Sequence, residues 1–260
     1  MLGVLSRGKK LLVAGLDVLW GGLLFGSYLV GKPQPPRGNR IPIGADLLSS
    51  AALVGAAWAL RSAAPPSGPV RRFATRIAVG MSIGAVSDVL MKISVPAGMA
   101  GFSLGHIGYI SGILGLGDAL GGSTPLRRYG AWAGWIGLGL LGWAVVVHAG
   151  PKSGRPLSWA ALGYCALLAS TAGVATGLVL QRPRYAPLVV GSALFVLSDL
   201  IIAMRIFNPD LFAKIPESVR GDIVWLTYGP AQALIVNSVL VALADPLLRA
   251  TPAAGPGEPG

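Results

Sequence analysis

Eight long apolar stretches constrain this chain more than any other feature of its sequence. None of them contains a glutamate, and they cover residues 11–31, 42–61, 73–92, 95–117, 130–149, 157–180, 186–205 and 222–243. An α-helix needs about 20 apolar residues to cross the hydrocarbon core of a bilayer, and these runs lack the alternation of a spanning β-barrel. Charged residues make up 12% of the chain, about half the share that a soluble domain carries. The sequence therefore predicts an all-α fold, a polytopic transmembrane bundle of eight helices.

The ends of the chain and the loop charges predict its domain organisation and orientation. We expect one integral membrane domain over residues 1–250, followed by a disordered tail over 251–260, which is rich in proline and glycine. The first run is longer than the apolar core of a signal peptide, so it is expected to remain as a helix. The loops on the side of both termini carry 12 Lys and Arg residues, against 9 on the opposite side. The positive-inside rule then places both termini in the cytoplasm, in a multi-pass protein of the cell membrane.

The net charge of +11 does not point to nucleic acid, because the 21 Lys and Arg residues are spread over almost every loop. Anionic lipid head groups attract such residues by about 1 kcal/mol each, so membrane lipids are the expected partners. The single cysteine, Cys165, excludes an intrachain disulfide and a cysteine metal cluster. The only histidines, His106 and His148, are predicted toward opposite faces, which excludes a three-histidine zinc centre. We expect no metal and no cofactor, and the sequence leaves the oligomeric state open.

Polar residues inside the third and fourth runs form the first half of a candidate site. Gly80, Gly84 and Asp88 share one face of the third helix at i, i+4 and i+8. Small residues at that spacing let another helix approach closely, so Asp88 should point into the bundle. His106 and Tyr109 share a face of the fourth helix, which predicts a lined cavity against a tightly packed neighbour. The small residues beside them are Gly105, Gly108 and Gly112.

A second aspartate recurs 111 residues later, on the seventh helix. Each Ser-Asp pair follows a Val-Gly pair by the same interval, and the four pairs are Val79-Gly80, Ser87-Asp88, Val190-Gly191 and Ser198-Asp199. The third and seventh helices cross the membrane in the same direction. This echo favours a parallel repeat of two four-helix halves, as in some transporters, and chance agreement of four residues is the other explanation.

Depth in the membrane predicts that the two halves of the site meet. By a rise of about 1.5 Å per residue, Asp88 and Asp199 lie roughly 6 to 10 Å from the face opposite the termini. By the same rise, His106, Tyr228 and Gln232 lie at roughly 9 to 15 Å. An ionisable group inside the bilayer costs at least about 2.5 to 3.5 kcal/mol and usually marks function or a specific partner. Asp17 and Asp46 are each the only aspartate in their span. For these two residues a structural hydrogen bond is the favoured explanation.

Three motifs stand in order along the chain, and they are Gly101-Phe102-x-x-Gly105-His106-x-x-Tyr109, Gly191-x-Ala193-Leu194-Phe195-x-x-Ser198-Asp199 and Tyr228-x-x-Ala231-Gln232-x-Leu234-Ile235. Together they resemble the YhhN family of eight-helix membrane proteins, whose members include the lysoplasmalogenases. The resemblance covers the third, fourth, seventh and eighth helices, and elsewhere it rests on the number of helices. The chain departs from the family pattern at Ser87, where glycine is expected, and at Pro230, which should kink the eighth helix. It also has Arg40-Ile41-Pro42 where the family has Lys-Pro-Leu.

The resemblance implies hydrolysis of the vinyl ether bond of a lysoplasmalogen, a lysophospholipid, to a fatty aldehyde and a glycerophospho-base. The alkene carbon takes a proton, water adds to the carbon that bears oxygen, and the hemiacetal collapses. Two carboxylates can divide this work, much as they do in glycoside hydrolysis. Either Asp88 or Asp199 donates the proton, and the other, ionised, orients water and stabilises the cation. The residues that hold the water or the glycerophosphate are then His106, Tyr109, Tyr228, Gln232 and Lys92.

Other interpretations remain open at this point. A transporter or lipid-binding membrane protein could use the same aspartates as proton or cation relay sites. The departures at Ser87 and Pro230 also suit a family member that has lost its activity. Lys92 and Arg205 lie toward the mouth of the predicted site, where they either attract the phosphate or serve only as interfacial anchors.

Overall fold

The computed structural model describes residues 2–34, 38–122, 124–152 and 156–249. Within these residues eight helices are long and apolar enough to cross a membrane, and none is in a strand. They are α1 (Arg7–Val30), α2 (Ile43–Ala63), α3 (Pro69–Ile93), α4 (Val95–Ala119), α5 (Pro125–His148), α6 (Pro156–Val179), α7 (Ala186–Phe207) and α8 (Ile223–Leu243). The predicted all-α bundle of eight spans is confirmed. The predicted tail over 251–260 lies outside the described residues.

Local sequence sets the start of several spans. Proline opens α3, α5 and α6, where its missing N–H costs no helical hydrogen bond. Ser94 separates α3 from α4 in an extended conformation, and its hydroxyl accepts a bond from the Ala97 N–H at 3.4 Å. A single capping residue therefore turns the chain back, so that α3 and α4 pack side by side along their length.

Glycines bring α3 and α4 into close contact, and α3 is the tightly packed neighbour that the glycine stripe of α4 predicts. A Cβ atom on Gly80 would lie 3.0 Å from the carbonyl oxygen of Gly105. A Cβ atom on Gly98 would lie 2.7 Å from the Cα atom of Met91. Backbone faces backbone at both points, so a side chain at either glycine would force the helices apart.

Replacing Gly98 by alanine should therefore destabilise the protein. The new methyl group would meet the α3 backbone, and overpacking of this kind costs about 1 to 3 kcal/mol. Gly115→Ala is the matched control, because Gly115 lies on the same helix with nothing within 4 Å of its Cβ position. Thermal unfolding of the two purified variants in one detergent measures the difference. Equal midpoints for the two variants would contradict the packing argument.

The two halves of the chain have the same internal packing. In the first half α1 contacts α2, α2 contacts α3 and α3 contacts α4, and the second half repeats this order from α5 to α8. Both first helices widen into a π-helical turn, at Gly22–Gly26 and at Trp143–His148. Gly191 packs α7 against α8 as Gly80 packs α3 against α4. The architecture thus agrees with the repeat that the Val-Gly and Ser-Asp pairs predict.

The two halves join through α8 and α4. Helix α8 packs on α2 and α3 of the first half, and α4 packs on α6 of the second. The solitary aspartates join neighbouring helices, as their positions predict. Asp17 accepts a bond at 3.2 Å from the Asn237 amide of α8, and Asp46 of α2 pairs with Lys92 of α3 at 2.8 Å.

Candidate active site

Asp88 is the end of a buried hydrogen-bond network between α2, α3, α4 and α8. Its carboxyl accepts a bond at 2.7 Å from the Ser50 hydroxyl and another from the Tyr228 hydroxyl. The Gln232 amide nitrogen donates to the Tyr228 oxygen at 2.6 Å, and the Tyr109 hydroxyl donates to the Gln232 amide oxygen at 2.9 Å. The structure therefore brings together four of the residues that the sequence selects.

The glycine face of α3 makes room for this network. A Cβ atom on Gly80 would overlap the Tyr109 ring, and one on Gly84 would lie 3.2 Å from the Gln232 amide nitrogen. Tyr228 and Gln232 stand at i and i+4 on α8, so they share one face of that helix. Helix α8 continues through Pro230. The spacing of small residues before Asp88 is thus explained by the side chains that lie over them.

Asp199 belongs to a different group, in the wall of a cavity. The Tyr164 hydroxyl of α6 donates to its Oδ2 atom at 2.6 Å. Both residues line a cavity of about 120 Å³ between α5, α6, α7 and the turn from α3 to α4. The remaining wall is almost entirely apolar and includes Leu138, Leu168 and Leu200. Asp199 is the only carboxyl among the described residues that line this cavity.

His106 contacts both groups. Its Nδ1 atom lies 2.9 Å from the Thr171 hydroxyl of α6, whereas its buried Nε2 atom has no hydrogen-bond partner among the described residues. The imidazole centroid is 5.8 Å from the ring of Tyr109 and 6.2 Å from the ring of Tyr164. It packs most closely on Phe195, at 4.6 Å. The imidazole is therefore the side chain that links the Asp88 network to the Asp199 group.

The two aspartates occupy one half of the bundle without touching each other. Asp88 and Asp199 lie near the ends of α3 and α7, on the side opposite the termini, as their predicted depth requires. No hydrogen bond between their carboxyls is found among the described residues. Phe195 contacts both the His106 ring and the Tyr228 ring, at 4.6 and 5.2 Å. A series of aromatic contacts, from Tyr228 through Phe195 and His106 to Tyr164, therefore connects the two groups.

Lys92 does not line the cavity. Its ammonium group pairs with Asp46 at 2.8 Å and lies 5.4 Å from the centroid of the Trp225 ring. The Lys92 side chain is 31% exposed, whereas that of Asp46 is 4% exposed. The lysine thus sits one helical turn beyond Asp88, at the edge of its network and beside α2 and α8.

Sequence reasoning did not select the two hydroxyl groups that contact the aspartates, Ser50 and Tyr164. They lie at matching depths near the starts of α2 and α6, the second helix of each half. Each donates to the aspartate on the next helix of its own half. The signal that could have found them is the internal repeat, extended from the aspartate helices to the helices that precede them.

The arrangement offers carboxyl, phenol and amide groups but no metal cage. Among the described residues, no three His, Cys, Asp or Glu side chains are placed to hold a metal ion together. The Cys165 thiol, which also lines the cavity, donates to the Gly139 carbonyl at 3.2 Å. The chemistry that this site supports is proton transfer by carboxyl groups beside an apolar surface.

Comparison with known proteins gives one match. The model of the YhhN family matches residues 43–239, a stretch that runs from the start of α2 into the last turns of α8 and includes every aspartate and tyrosine of the site. No match to a curated protein or to a solved structure was found.

Proposed function

Since the chain belongs to the YhhN family, we propose that it is a membrane-embedded hydrolase that cleaves the vinyl ether bond of lysoplasmalogens. The products are a fatty aldehyde and a glycerophospho-base. One observation carries the proposal beyond family membership, namely the Asp199 carboxyl in the wall of an apolar cavity. An apolar wall suits a hydrocarbon chain, and a carboxyl within it can supply the proton that an alkene carbon needs.

The layout of the cavity suits a single-chain lipid. Its wall runs from Phe207, at the end of α7, to Ala169 in the middle of α6, and Asp199 lies between these levels. In a lysoplasmalogen the vinyl ether likewise lies between the polar head group and the chain. Leu138, also in the wall, is 60% exposed, and in this proposal the lipid enters the cavity from the bilayer beside this residue.

The proposed reaction uses the two aspartates as an acid and a carboxylate. One carboxyl protonates the alkene carbon, and an oxocarbenium-like cation forms at the carbon that bears oxygen. Water adds to that carbon, and the resulting hemiacetal collapses to the aldehyde and the free glycerol hydroxyl. An ionised carboxyl stabilises the cation and orients the water. In this proposal His106, Tyr109, Tyr228 and Gln232 hold the water or the glycerol, and Lys92 attracts the phosphate.

In this proposal the loop charges set the orientation of the protein in the membrane. With both termini in the cytoplasm, the layer of Asp88 and Asp199 lies in the outer half of the cell membrane. A lysophospholipid of that leaflet would reach the cavity without crossing the bilayer.

Aldehyde release from a purified substrate tests the proposal. The protein in detergent is mixed with a lysoplasmalogen, and the aldehyde is trapped and quantified. The matched substrate with a saturated ether at the same position should give none, because it has no alkene to protonate. Absence of aldehyde from the folded protein with both substrates would overturn the proposal. Movement of a lipid or cation across proteoliposomes, without product, would instead support a transporter.

A further inference from the structure

We infer that the two aspartates differ in protonation, with Asp199 carrying the proton that reaches the substrate and Asp88 remaining a carboxylate. This inference rests on the proposed function, which leaves the two roles unassigned. It follows from the direction of each hydrogen bond around the two carboxyls.

The groups that contact Asp88 are donors. Tyr109 donates to the Gln232 amide oxygen, which turns the amide nitrogen toward Tyr228. The Tyr228 oxygen accepts from that nitrogen, so its own hydrogen is directed to Asp88. Ser50 donates to the same carboxyl at 2.7 Å. A protonated carboxyl must donate, whereas a carboxylate only accepts. The network thus presents two donors to Asp88, which suits its ionised form.

The charged groups near Asp88 distinguish it from Asp199, because they form an ion pair that includes a cation. Lys92 follows one turn later on α3, and both its ammonium group and the Asp46 carboxylate that it pairs with act on the Asp88 carboxyl. Asp88 also lies outside the cavity wall, so its carboxyl does not meet a substrate chain there.

Asp199 has the opposite surroundings. It receives one bond, from Tyr164 to Oδ2, and among the described residues no side chain in the cavity wall is a lysine, arginine or histidine. A carboxylate without a cation in an apolar cavity is costly, so the neutral acid is favoured. Since Oδ2 already accepts the phenol, the proton belongs on Oδ1. The acid therefore has one bonded oxygen and one oxygen available to a bound molecule.

With Asp199 as the acid, each bond and each proton of the reaction is accounted for. The Oδ1–H bond of Asp199 breaks as a C–H bond forms at the alkene carbon, and the Tyr164 phenol stabilises the carboxylate that results. Water then forms a C–O bond to the cation and returns one proton to Asp199. Breaking the hemiacetal C–O bond, with transfer of the hemiacetal hydroxyl proton to the departing oxygen, releases the aldehyde and the glycerophospho-base. Asp88 contributes its charge throughout and exchanges no proton.

Infrared spectroscopy of the purified full chain at neutral pH tests the assignment without turnover. We expect a carbonyl stretch of a buried carboxylic acid that disappears in Asp199→Asn and remains in Asp88→Asn. Tyr164→Phe should move this band to higher wavenumber, because the acid loses its hydrogen-bond donor. A band that disappears only in Asp88→Asn would overturn the inference, and so would the absence of any such band from the folded protein.

Two further variants keep the test decisive if Asp88→Asn fails to fold. Tyr228→Phe removes one donor from Asp88 and should leave the band in place. Tyr185→Phe is the matched control, because it breaks another buried bond from tyrosine to aspartate, to Asp245 at 3.0 Å on the face of the termini. A band that moves in either variant would contradict the assignment to Asp199. The expected spectra combined with no aldehyde release would overturn the proposed function alone.

Discussion

Asp199→Asn should lower the rate constant for aldehyde release by about 100-fold to 10,000-fold, the range that a positioned general acid contributes. Asparagine keeps the shape of the side chain and an oxygen that can accept the Tyr164 hydroxyl. It has no acidic proton for the alkene carbon. The apolar wall that binds the chain is unchanged, so KM should change much less than kcat.

The matched control is Asp118→Asn, which neutralises an exposed carboxyl near the end of α4. The Asp118 side chain is 64% exposed and pairs with Arg128 far from the cavity. Both variants are purified, checked for an unchanged unfolding midpoint, and assayed on one lysoplasmalogen over a range of concentrations. Full turnover by folded Asp199→Asn would remove this residue from the mechanism.

Some of the spatial relations in the site can be predicted from the sequence alone. Depth in the membrane follows from position along a helix, so the sequence alone places Asp88, Tyr228 and Gln232 in one layer. The face of α3 follows in the same way, because Gly80 and Gly84 mark where another helix approaches. Periodicity and rise are local properties, and both can be read directly from the chain.

Contacts between helices that are distant in the sequence could not be predicted in this way. The bonds from Ser50 to Asp88 and from Tyr164 to Asp199 depend on how α2 and α6 are rotated against the helices that follow them. An apolar run does not specify which face of its helix packs on other helices or which helix it packs against, because its side chains can face either lipid or protein. For the same reason the sequence did not predict that Asp199 lines the cavity and that Asp88 does not.

Lys92 illustrates the same limit and leads to the largest expected effect on stability. Its position beyond Asp88 suited either a phosphate ligand or an interfacial anchor, and the structure adds the ion pair with Asp46. Lys92→Met should lower the free energy of unfolding by about 3 to 5 kcal/mol, because it leaves a buried carboxyl without its partner. Arg128→Met is the control, since the exposed pair with Asp118 is worth about 1 kcal/mol or less.

The double variant Lys92→Met with Asp46→Asn separates the two roles of the lysine. Neutralising the carboxyl removes the unpaired charge, so most of the lost stability should return, and the cycle of single and double variants gives the coupling energy. Our proposal that Lys92 attracts the substrate phosphate then predicts a raised KM in this stable double variant, with kcat little changed. A KM equal to that of the unmodified protein would mean that the lysine serves the ion pair alone, because the positive charge would be absent without consequence for binding.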